Sequence, residues 1–368
     1  MDYSKIFRTE LKNVQPYIGG ATEDEIKKKY HLDKVVKLGS NENPYAPYKN
    51  ATRVMKDTIP LLNRYPEGDF IEMKQLIAKR EGLKEGNVGL GTGAGNIIET
   101  VAKEFLNSGD EVLIAKQSYR LYREVSKLMG AKVIEIPLKE DFQYDLNSFS
   151  AHINDKTKLI WICNPNNPTS NVTDKDQLTA FIQSLPDRVV VVIDEAYVDF
   201  TEKDKVPDFK QFIGKKPIVL IRTFSKFFGL AGSRLGYLIA DQPIIQGYDT
   251  ATEPFNSNRT ALFGAITSLN EDQEQSASVR KQIQDDRFKY GNELVQLGFK
   301  VAPSQANFIF AKLPDNNNNA TKFCDDLMKK GVIIRDGTPW GYPDWVRITI
   351  GLKDEMEFLM GQIRSELK

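Results

Sequence analysis

Between about residues 70 and 240 the chain alternates two periodicities, and that alternation limits its fold more than any other feature. Helical stretches place apolar residues at i, i+3 and i+4: Ile97, Ile98, Val101, Ala102 and Phe105 in one, Leu178, Phe181, Ile182 and Leu185 in another. Interleaved with them are short β-rich runs at Glu111–Ala115, Lys132–Ile136, Lys158–Cys163, Val189–Ile193, Ile218–Arg222 and Leu235–Ala240. Continuous apolar strands between helices predict a largely parallel sheet covered on both faces, an α/β architecture. The last run comes too soon after its predecessor for a helical crossover, so it is expected to run antiparallel or to be reached irregularly. Thr173, with Asp176 three residues on, is the expected start of one helix, and a Thr22–Glu25 capping box starts another.

Outside this block the pattern is α+β. A long polar helix is expected over about 271–297, then a strand within Val301–Lys312, an Asn316–Asn319 turn and a helix through Phe323–Lys329. Strands at Val332–Arg335 and Val346–Gly351 precede a closing helix with Met356, Leu359, Met360 and Ile363 on one face. A length of 368 residues suits about two domains. The expected division is 1–45 as an N-terminal arm and start of a small domain, 46–255 as a large domain, and 256–368 as the rest of the small one, which is therefore discontinuous.

Fifty basic and fifty acidic side chains cancel, which argues against nucleic acid or an anionic membrane as a bulk electrostatic partner. Two histidines (His31, His152) and two cysteines (Cys163, Cys324) leave no disulfide framework or Cys-rich zinc module, and no metal site is expected. No apolar run reads as a leader or a membrane span, so a cytoplasmic location is expected. The chemistry must come from Lys, Arg, Asp, Tyr or Ser, or from a borrowed cofactor.

In open α/β sheets, ligands bind beyond the carboxyl ends of the strands. The strands here lead into Asn164-Pro165-Asn166-Asn167-Pro168-Thr169, then Asp194-Glu195-Ala196-Tyr197, then Thr223-Phe224-Ser225-Lys226 and Gly232-Ser233-Arg234-Leu235-Gly236. Gly91-Thr92-Gly93-Ala94-Gly95 opens the first clear helix. Each piece alone has a plain reading: a turn, a surface lysine, an ion pair. The glycine run lacks the dinucleotide fingerprint, and a nucleotide site built on Asp194-Glu195 lacks the G-x-x-x-x-G-K-[ST] loop it needs. One cofactor uses every piece: pyridoxal 5′-phosphate, whose phosphate suits a helix N-terminus, hydroxyls and an arginine. Its ring nitrogen suits a carboxylate, its phenolic oxygen an amide and a phenol, and its aldehyde a lysine.

These segments resemble the fold-type I aminotransferases, and within them the class-II-like histidinol-phosphate aminotransferase family. The resemblance also rests on Gln15-Pro16-Tyr17, Lys37 through Pro44, Arg64-Tyr65-Pro66-Glu67-Gly68 and Val346 through Gly351, in the family's order along nearly the whole chain. It implies a large domain with a mostly parallel seven-stranded sheet and a smaller α+β domain. By position it implies that Lys226 carries the cofactor and moves the proton. Asp194 then pairs with the ring nitrogen, Tyr197 and Asn167 meet the phenolic oxygen, and Tyr119 stacks on the ring. Ala94, Gly95, Thr223, Ser225 and Arg234 form the phosphate cup, and Tyr65 reaches the cofactor of a partner subunit in a homodimer with shared sites. Arg347 and Arg335 would bind substrate carboxylate and phosphate, with Tyr17 and Asn307 lining the pocket. The implied reaction exchanges an amino group between histidinol phosphate and 2-oxoglutarate, giving imidazole-acetol phosphate and glutamate. An aromatic-amino-acid aminotransferase and a phospho-amino-acid decarboxylase of the same fold are the alternatives. Two departures stand out: Gly95-Asn96 replaces the family's usual acidic pair, and Ser170 replaces a usual Gly, which bears on the local turn.

Overall fold

A computed structural model describes residues 3–16, 19–66, 70–315 and 319–368. Tyr17, Glu67, Gly68 and Asn316 through Asn318 lie outside the described residues. The strands, in chain order, are β1 (Val36–Lys37), β2 (Val88–Gly91), β3 (Glu111–Ala115), β4 (Lys132–Ile136), β5 (Thr157–Cys163), β6 (Val190–Asp194) and β7 (Ile218–Thr223). They continue with β8 (Gly236–Ala240), β9 (Lys300–Val301), β10 (Phe308–Lys312), β11 (Val332–Ile333), β12 (Arg335–Asp336) and β13 (Trp345–Thr349).

Seven of them form one sheet in the order β2-β8-β7-β6-β5-β3-β4. Only β8 runs against its neighbours, pairing antiparallel with both β7 and β2. The short link after β7 forces that reversal, as its length predicts. Successive residues of the central strands feed two separate cores. Ile160, Ile162, Val191, Ile193 and Leu220 enter one, while Leu159, Trp161, Val190, Val192 and Ile221 enter the other. An all-apolar run therefore still obeys the two-residue alternation of a strand, with both faces buried under helices.

A four-stranded antiparallel sheet, β12-β13-β10-β9, is built from the C-terminal part of the chain. The N-terminal segment joins that part through parallel pairing of β1 with β11, Val36 opposite Val332. Among the described residues, no helix is long and apolar enough to cross a membrane.

Three sequence expectations need correction. Thr173 does not cap its helix: the helix runs Lys175–Ser184, and Asp174 caps it by accepting from the Asp176 and Gln177 amides. A carboxylate beside a helix N-terminus outcompetes a neighbouring hydroxyl, because it also meets the positive end of the dipole. The strand within Val301–Lys312 is β10, whereas Val332–Arg335 divides between β11 and β12, which belong to different sheets. Strand β2 was hidden by its composition, Val-Gly-Leu-Gly, because two glycines remove the β-branched signal. Gly89 has a packing reason, since a Cβ there would stand 2.5 Å from the Leu238 side chain.

Candidate active site

The predicted cluster assembles at the carboxyl ends of β5, β6 and β7 and at the start of helix Gly93–Phe105. Asp194 ends β6 and is buried, with Oδ1 accepting from the Ala196 amide at 3.0 Å and Oδ2 from the Tyr122 hydroxyl at 2.7 Å. Burial pushes its carboxyl up from the ordinary range, against the opposing pull of those two donors and of the Lys226 charge. Tyr197, on the turn after β6, is buried and accepts from Asn41 Nδ2 at 3.0 Å and Asn167 Nδ2 at 3.5 Å. Asn167 Oδ1 in turn accepts from Arg347 Nη1 at 2.6 Å, while Arg347 Nη2 donates to the Gly39 carbonyl at 2.6 Å. One chain of hydrogen bonds thus runs from a phenol through an amide to a guanidinium.

Lys226 lies in the loop after β7. Its Nζ donates to the Ser40 carbonyl at 2.8 Å and sits 5.9 Å from the Tyr197 ring centroid. Its ammonium is pulled down to about 8, first by burial and then by the positive charges of Arg347 and Arg234. A lysine so placed is substantially neutral under mildly alkaline conditions and can act as a nucleophile.

The anion end is built on glycine. Helix Gly93–Phe105 begins with Gly93 at φ +79° and has no acidic residue in its first turn. Arg234, itself left-handed at φ +53°, lies against this start: a Cβ on Gly93 would stand 2.5 Å from Arg234 Nη2. Gly236 is as tightly constrained, since a Cβ there would stand 3.0 Å from the Ala94 amide nitrogen. Arg234 Nη1 donates to Ser225 Oγ at 3.3 Å and to the Ala231 carbonyl at 3.0 Å, and the Ser225 amide donates to Thr223 Oγ1 at 3.0 Å. Among the described residues neither Lys226 nor Arg234 pairs with a carboxylate. Backbone amides, two hydroxyls and a guanidinium around a helix N-terminus fit a phosphate. The residues present therefore suit pyridoxal phosphate at both its ends.

Asn96, at the first departure from the family pattern, turns inward and accepts from the Thr92 amide at 3.2 Å. Ser170, at the second, adopts φ +63°, so the turn keeps a conformation natural to glycine with serine in its place.

The other predicted residues divide. Tyr119 stands edge-on to Tyr122, with centroids 5.5 Å apart. Asn307 donates to the Asn41 and Glu42 carbonyls at 3.2 and 3.4 Å, so it holds the N-terminal segment over the site. Arg335 lies opposite Arg347 in the β12–β13 register, half-buried. Tyr65 does not join the cluster: it is 76% exposed, and its ring stacks on Phe255.

Three residues escaped the sequence reading. Tyr122 bonds Asp194, and its spacing of three from Tyr119 is the signal that could have found it. Asn41 bonds Tyr197 from within a segment quoted only as a match. Trp340 donates to the Ser118 carbonyl at 3.1 Å and lies 5.5 Å from the Arg347 guanidinium, a contact no local pattern reveals.

Asp194 and Glu195 cannot together hold a magnesium ion. Consecutive residues leave a strand on opposite faces, and Glu195 is bound by Arg222 Nε at 2.8 Å. That disposes of a nucleotide site built on this pair.

The family model described as "Aminotransferase class I and II" matches residues 33–363. A histidinol-phosphate aminotransferase of Caldicellulosiruptor saccharolyticus is 36% identical over 356 residues, 96% of this chain and 98% of that protein. Its counterpart in Bacillus subtilis is 36% identical over 354 residues, covering 96% of this chain and 97% of the relative. Among solved structures, histidinol-phosphate aminotransferase from Sinorhizobium meliloti in complex with pyridoxal 5′-phosphate superposes with a TM-score of 0.90 at 24% identity, covering 98% of each chain.

Proposed function

Because the chain belongs to the class I and II aminotransferases, and within them to the histidinol-phosphate aminotransferase family, we propose that it moves an amino group between histidinol phosphate and 2-oxoglutarate with pyridoxal phosphate as cofactor. The observation that carries this reading is a pair of cations, Lys226 and Arg234, with no carboxylate partner among the described residues. They come from the segment between β7 and β8, beside the end of β6 that carries Asp194 and leads into Tyr197.

Bound there, the cofactor supplies an aldehyde for amine capture and a ring that accepts the electron pair released at the substrate Cα. Arg234, Ser225, Thr223 and the Ala94 and Gly95 amides hold its phosphate. Asp194 keeps a proton at the ring nitrogen, while Tyr197 and Asn167 orient the phenolic oxygen and Tyr119 covers the ring. Lys226 would take the proton from the substrate Cα as a base and return it as an acid. Arg347 binds the carboxylate of glutamate, and Arg335 the phosphate of histidinol phosphate, since a guanidinium fork suits either anion.

A homodimer belongs to the same reading. Tyr65 is exposed and stacks on exposed Phe255, with exposed Ile59, Leu61 and Leu62 shortly before it in the chain, an apolar group suited to a second copy. We assign Tyr65 to the partner's cofactor site. A cytoplasmic location suits such an enzyme and agrees with the two unpaired, buried thiols.

The test is amino transfer from glutamate into imidazole-acetol phosphate, measured beside phenylpyruvate. A yellow protein that turns over the imidazole compound preferentially is expected. No turnover of that compound, with rapid use of phenylpyruvate, would replace the proposed substrate with an aromatic one.

A further inference from the structure

Tyr122 is fully buried at the start of helix Leu121–Leu128, and its hydroxyl is committed to the acid of the site, donating to Asp194 Oδ2 at 2.7 Å. The ring is fixed on two sides. It stacks on Trp161 with centroids 5.1 Å apart and planes at 7°, and it meets the edge of Tyr119 at 5.5 Å and 84°. Trp161 is itself anchored, because its Nε1 donates to Ser126 Oγ at 3.3 Å, one turn along the helix that carries Tyr122. A phenylalanine would fill this space equally well. The hydroxyl is therefore the feature that packing does not explain.

Resting on the function proposed above, we infer that Tyr122 is a positioning residue for the cofactor ring: its hydroxyl fixes the Asp194 carboxylate that meets the ring nitrogen, and its ring backs the Tyr119 that covers the ring. One side chain then sets two contacts on a single group. With one lone pair on each Asp194 oxygen occupied, by Tyr122 and by the Ala196 amide, the carboxylate cannot rotate but keeps capacity for a further donor. The hydroxyl also stabilises the ionised form of an acid that burial drives toward neutrality. Without it, the proton shared with a ring nitrogen moves toward Asp194, and the ring becomes a poorer electron acceptor.

The groups facing Asp194 are few. Cys163 ends β5, Tyr144 packs behind it, Tyr197 lies in the same turn, and Lys226 comes from the loop after β7. Burial drives the Cys163 thiol and the Tyr144 and Tyr197 phenols upward, so all three stay neutral. Lys226 is the neighbour that can report a change.

The experiment compares Tyr122→Phe and Trp161→Phe with the wild-type holoenzyme by titrating the visible band of bound cofactor, whose pH midpoint reports the proton on Lys226 Nζ. Losing positive charge on the ring lets Lys226 keep its proton longer, so the Tyr122→Phe midpoint should rise by about 0.5–1 unit. Cofactor affinity, read from fluorescence quenching of the cofactor-free protein, should weaken about fivefold, and kcat should fall about tenfold with KM for glutamate nearly unchanged. Trp161→Phe keeps the hydroxyl and loosens the packing, so its midpoint should stay at the wild-type value. A wild-type midpoint in Tyr122→Phe, or an equal shift in both variants, would refute the proposal. If the wild-type chain itself takes up no cofactor, the functional reading falls, and this inference with it.

Discussion

Asp194 and Glu195 are neighbours in the chain that open onto opposite sides of the same sheet, and the two sides solve opposite problems. On the Glu195 side the cations meet carboxylates. Arg222 bridges Glu195 and Glu81 at 2.8 and 2.7 Å, Lys210 reaches Glu81 at 3.2 Å, and Arg80 reaches Asp199 at 2.8 Å. On the Asp194 side, among the described residues, Lys226 and Arg234 rest on carbonyl and hydroxyl oxygens. Buried charge is tolerated when it is paired and costly when it is not. The first cluster is a closed scaffold that ties two strand ends to the helix behind them. The second leaves half-buried Lys226 and solvent-exposed Arg234 without a carboxylate, and an anionic cofactor and substrate would supply that partner.

Lys226 carries most of the difference between the two sides. Lys226→Met should abolish the visible band and lower turnover by at least about a thousandfold, because it removes the amine proposed as the nucleophile. It should also stabilise the cofactor-free chain. The folded protein holds this ammonium at about 8 instead of the unfolded 10.5, so between those values the unfolded state binds more protons and wild-type stability rises with pH. Below about pH 8 both states carry the proton, and the folded one bears its full desolvation cost. The methionine variant should therefore melt about 2 °C higher than wild type at pH 7, and the gap should narrow as pH passes from 8 toward 10.5. Equal melting points at pH 7 would mean that Lys226 is well solvated. The same shift predicts that cofactor uptake, followed by stopped-flow absorbance, accelerates up to about pH 8 and then levels.

Arg222→Met attacks the other side. It strands Glu195 and removes one partner of Glu81, which should cost about 3 kcal/mol in denaturant unfolding. The folded remainder should still turn yellow, because nothing on that face touches the proposed cofactor. A stable but colourless variant would show that the two faces are not separate in function.

Arg234→Ala tests the deficit itself. Losing charge-assisted bonds to a phosphate should raise the cofactor's Kd by about ten- to a hundredfold. Arg335→Ala should leave that Kd within about twofold and instead raise KM for the phosphorylated substrate by about tenfold or more. Equal cofactor loss in both would mean that the two anion positions are exchanged.

Much of this architecture was legible in the sequence because it is local. The apolar runs, their spacing and the polar segment after each place Asp194, Tyr197, Lys226 and Arg234 at one edge without any knowledge of contacts. The hidden part was long-range or compositional. Strand β2 was masked by glycines needed for close packing. The Tyr122–Asp194 and Asn41–Tyr197 bonds join residues 72 and 156 positions apart, and the Trp340–Ser118 bond spans 222. Glu195 looked like half of an acidic pair until its partner, Arg222, proved to face it from the next strand. Motif reading finds the groups that do the chemistry, whereas the groups that hold them are chosen by the fold.

The smallest expected effect lies in the turn beside Asn167. Ser170 is buried at φ +63°, its hydroxyl donates to the Thr169 carbonyl at 2.6 Å, and its own carbonyl accepts from the Gln305 amide at 2.7 Å. Three terms compete there. Left-handed backbone costs a side-chain-bearing residue about 1–2 kcal/mol, the hydroxyl bond returns about 1 kcal/mol, and glycine would lose about 0.5–1 kcal/mol more chain entropy on folding. For Ser170→Gly these nearly cancel, so stability should change by less than about 1 kcal/mol. Ser170→Ala keeps the backbone cost and loses the bond, so it should fall below both wild type and the glycine variant by about 1 kcal/mol in denaturant melts. Alanine matching glycine would mean that the turn relaxes out of the left-handed region. Serine would then be an ordinary occupant of this position, and the open side of the sheet would carry less strain than its geometry indicates.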